Sequence, residues 1–302
     1  MVNRTSRIER LLAVKSMATE QVIALLRMKN LLSTFMTCPH CNLNMRERFR
    51  GDVIDKVSWV CFNARCPKPL TTLSIRNGSF FAKFRLSLAD VWTVILMWCE
   101  NESVCNTSRN FGICRPTIKK IYEELRSIVA IQQSNDPVCL GGPGIVCQID
   151  ESLFSHKQKY HRGRATREPV WVFGIVDTSF KFAKGYMEIV SDRSANTLLP
   201  IINRVCRPGT VIYSDEWAAY RQIQERLGFS HETVNHSLHF VDPLTGVHTQ
   251  NIESYWARQK QKIKAMKGVR RSQLPALLAE FVWKDNAREM ALLYLIGLLR
   301  VQ

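Results

Sequence analysis

Ile145-Val146-Cys147-Gln148-Ile149 runs straight into Asp150-Glu151, and further on Thr210-Val211-Ile212-Tyr213-Ser214 runs into Asp215-Glu216. Each is a short apolar run that reads as a buried strand delivering a carboxylate at its end. Further apolar runs at 170–176 and 186–190 alternate with helical stretches, so this half of the chain reads as a mixed α/β domain. In open α/β sheets function gathers at strand ends, where side chains leave the core but keep a rigid base. A third carboxylate, Glu253, stands in Thr249-Gln250-Asn251-Ile252-Glu253-Ser254-Tyr255-Trp256, the start of a long predicted helix. Three carboxylates from two strands and a helix can hold two Mg2+ (or Mn2+) ions about 4 Å apart, an arrangement suited to phosphodiester chemistry.

The predicted helix continues in a one-sided way. From Ser254 to Ser272 there are seven basic residues and no acid, among them Lys260, Lys264, Arg270 and Arg271. Lys260 is seven residues from Glu253, on the same helical face, within reach of a bound phosphate. A second basic cluster, Lys157, Lys159, Arg162, Arg164 and Arg167, follows the first Asp. These sit in a chain of 302 residues with 42 Lys+Arg against 26 Asp+Glu, a formal net charge of +16 spread over both halves. The excess points to a polyanionic partner, most simply nucleic acid. With 46% hydrophobic residues the chain can build a core, which excludes wholesale disorder. No apolar run reaches the roughly 18–20 residues of a membrane span, and the first residues do not read as a secretory signal.

The remaining polar candidates have plainer readings. Asp177, Asp192 and Asp242 are expected to serve turns or caps, and His231, His236, His239 and His248 match no compact metal site. Trp171, Trp217 and Trp256 are expected in the core rather than against bases.

Upstream, Cys38-x2-Cys41 and Cys61-x4-Cys66 are separated by nineteen residues. Two such knuckles supply four soft ligands for Zn2+, the pattern of a small zinc ribbon whose folding draws on the metal. The other six Cys show no paired spacing. Residues 86–100 carry one broad apolar face, 103–111 form a short second helix, and Gly112-Ile113-Cys114 makes a turn. Arg115-Pro116-Thr117 opens a third helix with Arg115, Lys119 and Lys120 outward. This is a helix–turn–helix-like pattern, which would put basic side chains at a DNA groove. Asn135, Asp136, Pro137 and Gly141-Gly142-Pro143-Gly144 mark the main boundary. The expected organisation is thus a helical segment 1–35, a zinc ribbon 36–80, a helical DNA-binding segment 81–138 and an α/β domain 139–302.

On these residues the chain resembles the transposases of Merlin-type DNA transposons and their bacterial insertion-sequence relatives. The motifs are Gly141-Gly142-Pro143-Gly144, Ile149-Asp150-Glu151-Ser152, Lys159-Tyr160-His161-Arg162-Gly163-Arg164 and Trp171-Val172-Phe173-Gly174. Asp192-Arg193-Ser194, Ser214-Asp215-Glu216-Trp217, Val234-Asn235-His236-Ser237 and Val247-His248-Thr249-Gln250-Asn251-Ile252-Glu253 complete the set, covering about residues 140–270. The resemblance implies an RNase H-like catalytic domain with Asp150, Asp215 and Glu253 as its DDE metal triad, and His248 and Asn251 as supporting residues. It implies cleavage at transposon ends and strand transfer into target DNA, performed by a homo-oligomer because two ends must be held together. The nucleus is the expected location, or the cytoplasm for a bacterial source. A transposase-derived DNA-binding protein that moves no DNA is the alternative.

Overall fold

The computed structural model describes residues 14–154, 170–235 and 240–301. They divide into two compact units, Met1–Ile128 with Glu289–Gln302, and Val129–Arg288. The helix Ala291–Leu299, grouped above with residues 139–302, falls in the first unit. There it buries Leu295 and Leu299, and the Val301 amide donates to the Asn30 carbonyl at 2.9 Å.

In the first unit, α1 (Thr19–Met28) buries Val22, Ile23 and Leu26. A three-stranded antiparallel sheet follows, in the order β1 (Arg46–Phe49), β2 (Val57–Val60), β3 (Thr72–Ser74). It has little apolar substance: all four residues of β1 are exposed. A buried ion pair ties it down, with the Arg76 guanidinium meeting both Asp55 oxygens at 2.6 Å. The same guanidinium donates to the carbonyls of Phe84 at 2.8 Å and Leu86 at 2.6 Å, so its charge and its fork of donors are both satisfied.

Three helices come next, as read from the sequence: α2 (Leu88–Cys99), α3 (Val104–Phe111) and α4 (Arg115–Asn135). Ser87 Oγ accepts from the Asp90 amide to cap α2, and Ser103 Oγ accepts from the Asn106 amide to cap α3. Gly112, at φ 69°, ends α3 in a left-handed turn where a side chain would be strained. The Thr107 and Tyr122 hydroxyls lie 3.1 Å apart and pin α3 against α4, while Arg115, Lys119 and Lys120 face solvent.

The second unit is built on a five-stranded sheet of β4 (Val146–Leu153), β5 (Trp171–Asp177), β6 (Lys184–Val190), β7 (Val211–Asp215) and β8 (Ser230–Val234). Its order is β6-β5-β4-β7-β8, with β5 antiparallel to both β4 and β6, β7 parallel to β4, and β8 parallel to β7. One expectation is corrected here. β4 does not stop at Asp150 but continues to Leu153, because β5 keeps pairing with it as far as Trp171.

Strand alternation sends Cys147 and Ile149 to one face, where they meet α5 (Ala195–Val205) and α6 (Ile223–Leu227). The other face packs against α7 (Gln250–Ala265) and α8 (Leu274–Ala287). Glycine makes the second packing possible. A Cβ at Gly174 would stand 2.4 Å from the Trp256 ring, and one at Gly185 2.4 Å from the Tyr255 ring. Edge strand β6 is closed off at the same place. The Asn286 amide side chain accepts from the Gly185 amide and donates to the Gly185 carbonyl, both at 2.9 Å, in the manner of a neighbouring strand.

Asp177, Asp192 and Asp242 serve turns and caps, as read. Asp177 accepts from the Gly141 and Ser179 amides, Asp192 from the Ser194 amide, and Asp242 from the Leu244 and Thr245 amides. None of the described helices is long and apolar enough to cross a membrane.

Candidate active site

Register puts the first two carboxylates side by side. Val146 pairs with Val211, Cys147 with Ile212 and Gln148 with Tyr213, so Asp150 and Asp215 both stand four residues beyond the first pair. Both lie on the α7 side of the sheet. Asp150 is held by two donors, the Glu151 amide at 2.8 Å and the Trp256 indole N–H at 3.0 Å. Asp215 accepts from the Trp217 amide at 3.0 Å.

Glu253 is delivered by the first turn of α7, and the element that aims this helix is a residue the sequence reading passed over. Gln148 is buried on β4, two residues before Asp150 and on the same face. Its side-chain oxygen accepts from the Asn251 amide at 2.9 Å and the Ile252 amide at 3.1 Å, capping the helix. Its amide nitrogen lies 3.4 Å from His248 Nδ1, which also accepts from the Gln250 amide at 3.3 Å. Those two donors assign the ring proton to Nε2. The Thr249 hydroxyl reaches Glu253 itself at 3.2 Å. A polar residue inside an otherwise apolar strand, two places before a carboxylate, was the available signal for Gln148.

The electrostatics of the cluster suit a cation. Burial, then the charges of Asp215 and Glu253, push Asp150 up to about 6. Its neighbour Glu151 points to the other face, takes the Tyr220 hydroxyl as donor and is pushed up to about 7, chiefly by burial. Lys260 is exposed and lies 5.8 Å from the Phe154 ring centroid; desolvation holds its ammonium below the usual lysine value, and the nearby Asp150 charge offsets part of that. Three hard oxygen donors repelling one another are the donor set that Mg2+ or Mn2+ takes. As a set they stand further apart than the thiols of the first unit. Among the described residues, only Cys38, Cys41, Cys61 and Cys66 bring their ligand atoms within 4.8 Å of one another.

Residues 144–286 match the ISXO2-like transposase domain. The matched residues span the sheet, the three carboxylates and most of α8. A further relative is an uncharacterised transposase-like protein of Haemophilus influenzae, 28% identical over 107 residues, which cover 35% of this chain and 85% of that protein. These two matches support a transposase family of the bacterial insertion-sequence type, a class that acts on DNA; neither names the Merlin type. A simian T-cell lymphotropic virus intasome structure, in complex with a PP2A regulatory subunit, aligns at 15% identity and TM-score 0.30 over 62% of this chain and 66% of that one.

Around the matched residues the basic candidates separate. Lys260, Lys264, Arg270 and Arg271 are exposed. Arg258 and Lys262 turn inward to Asp285, at 3.3 and 3.4 Å, and support the fold. Lys157, Lys159, Arg162, Arg164 and Arg167 lie outside the described residues, as do His236 and His239.

The four thiols of the first unit can hold zinc. Cys38 and Cys66 Sγ atoms are 3.8 Å apart and those of Cys41 and Cys61 3.7 Å. A tetrahedron with Zn–S bonds of about 2.3 Å has edges of about 3.8 Å. The side chain of Asn63 and the backbone at Leu43 favour the thiolate of Cys41 and bring it to about 6, the form a metal requires.

Proposed function

We propose that this chain is a DNA transposase whose second unit is an RNase H-like catalytic domain, with Asp150, Asp215 and Glu253 as its metal-binding triad. The observation that carries the reading is the meeting of two carboxylates from adjacent parallel strands with a third on a helix docked by Gln148, inside the transposase match. The Merlin-type affinity rests on the sequence motifs and belongs to this proposal. A bacterial-type family favours the cytoplasm over the nucleus as its location.

Asp150, Asp215 and Glu253 would hold the Mg2+ or Mn2+, and His248 and Asn251 belong to the segment that sets Glu253. Bound there, the ions would supply activation of the attacking oxygen and neutralisation of charge on the scissile phosphate. The chain contributes orientation. Trp256 and the Glu151 amide fix both oxygens of Asp150, Gln148 fixes the helix bearing Glu253, and Lys260 offers a cation to the phosphate. Water attacks phosphorus at the transposon end and the 3′ oxygen leaves as a hydroxyl; that hydroxyl then attacks a target phosphodiester, joins its phosphorus, and the target strand's 3′ oxygen leaves as a hydroxyl. The zinc ribbon around Cys38, Cys41, Cys61 and Cys66, with Arg115, Lys119 and Lys120 on α4, would recognise the ends, while Lys264, Arg270 and Arg271 extend the basic surface. A homo-oligomer would hold the two ends together.

The test is nicking and strand transfer on supercoiled plasmid with Mg2+ or Mn2+. Wild type is expected to be active, and Asp215→Ala and Glu253→Ala to lose at least about a hundredfold. Specific DNA binding with no cleavage under either metal would replace this reading with a transposase-derived DNA-binding protein.

A further inference from the structure

The motifs around Asp192-Arg193-Ser194 and Trp217 are not used by the carboxylate chemistry, yet the fold builds a rigid structure from them. The Arg193 guanidinium lies 4.1 Å from the Trp171 ring centroid and 4.5 Å from that of Trp217, held between two indoles. The Trp217 indole N–H donates to the Arg193 carbonyl at 3.2 Å, and its backbone amide donates to Asp215. Behind Arg193, Asp192 is fixed by the Ser194 amide at 2.9 Å and the Thr197 hydroxyl at 2.8 Å. Trp171 begins β5 opposite Leu153, and Val190 at the end of β6 lies beside it, so the stack stands at the end of the sheet that carries Asp150 and Asp215, with Trp171 on the α5 side and the two carboxylates on the α7 side. Trp217, expected in the core, is 39% exposed.

Two features of this arrangement point to a ligand. Stacking consumes the faces of a guanidinium and leaves its in-plane N–H donors available, and among the described residues Arg193 makes no side-chain hydrogen bond or ion pair. Arg193 is half-buried and its charge also favours the ionised form of Glu151; a planar cation held by two rings is preorganised for bidentate binding of an oxyanion. The exposed indole beside it offers a face on which an unpaired base can stack.

We propose that Arg193, clamped by Trp171 and Trp217, is a DNA-backbone anchor that grips a phosphate of the strand entering the carboxylate site, with Trp217 stacking on an adjacent base. Arg193 is here a positioning residue: it touches the strand and leaves the chemistry to the carboxylates. The inference rests on the proposed transposase function, and its test reads binding rather than cleavage.

The probe is a labelled mixed-sequence duplex with a single-stranded 3′ extension, titrated with wild type, Arg193→Ala, Arg193→Lys and Trp217→Ala over a salt series without divalent metal. Arg193→Ala is expected to bind about tenfold more weakly. It should also lower the slope of log affinity against log salt by about 0.7–0.9, the loss of one phosphate contact. Arg193→Lys should restore the slope but only part of the affinity, since it keeps the charge and lacks the fork. Trp217→Ala should weaken binding to the extended duplex more than to a blunt one. Thermal melting of each variant runs alongside. Wild-type affinity and slope in Arg193→Ala would overturn the anchor, and so would weaker binding with an unchanged slope and a lowered melting temperature, the signature of a structural role. If wild type binds no DNA at all, the transposase reading itself fails.

Discussion

Gly174 shows how much a missing side chain can decide. It pairs with Asp150 across β4 and β5, and the space over it is filled by the Trp256 ring whose N–H holds Asp150. Gly174→Ala would set a methyl 2.4 Å from that ring, against a side chain that is buried on all sides. Overpacking of this kind costs about 1–3 kcal/mol. The expected outcome is a lower denaturation midpoint together with a shift in tryptophan fluorescence, as the indole is pushed off Asp150. An unchanged midpoint would mean that α7 can lift from the sheet at no cost, and that the Trp256–Asp150 bond does not fix the carboxylate. The sequence motif Trp171-Val172-Phe173-Gly174 contained this glycine, but its reason lies on a helix some eighty residues away, and Trp256 read only as an apolar helix residue.

At the scale of elements, the docking of α7 onto β4 is the joint that assembles the site. Gln148→Leu keeps the bulk and removes the acceptor, leaving the Asn251 and Ile252 amides without a partner in a buried setting. The expected cost is about 1–3 kcal/mol for each orphaned group, read by denaturation, with cleavage falling by more than stability alone explains because Glu253 loses its aim. Asn251→Ala is the control: the backbone amide survives, so the cap persists and stability should move by less than about 0.5 kcal/mol. Equal losses in the two variants would show that the Asn251 side chain, not the Gln148 cap, carries the joint. What was legible beforehand follows from the same elements. The runs before Asp150 and Asp215 are mostly apolar because they lie inside the sheet, fully buried at residues 147–149 and alternately buried and half-buried along β7, and α2, α3 and α4 announce themselves by caps, glycine and spacing. β8 (Ser230–Val234) was not legible, because an edge strand with four of its five residues outside the core carries no apolar pattern. The Gln148 cap was not legible either, since a hydrogen bond spanning a hundred residues leaves no periodicity behind.

At the scale of the whole molecule, the two units are stabilised by different means, and that difference can be measured. The sheet of the second unit buries two apolar faces, against α5 and α6 on one side and α7 and α8 on the other. The three short strands of the first unit have an exposed β1 and depend on the four thiols and on the buried Asp55–Arg76 pair. A metal held by four thiolates contributes folding free energy on the order of 10 kcal/mol, far more than so small a sheet can gain from burial. A strong chelator, or Cys61→Ser, is therefore expected to expose the backbone amides of β1, β2 and β3 to hydrogen exchange while those of β4, β5 and β7 stay protected. End-specific DNA binding should be lost with the first set, whereas any residual nicking of plasmid by the carboxylate site should persist. Chelation that leaves β1–β3 protected would mean that the Asp55–Arg76 pair suffices to hold the three strands, and that the thiols are spaced for a metal the fold does not need. Exchange opening in both sheets together would mean instead that the carboxylate unit draws its stability from the first, and the division into two self-supporting cores would be wrong.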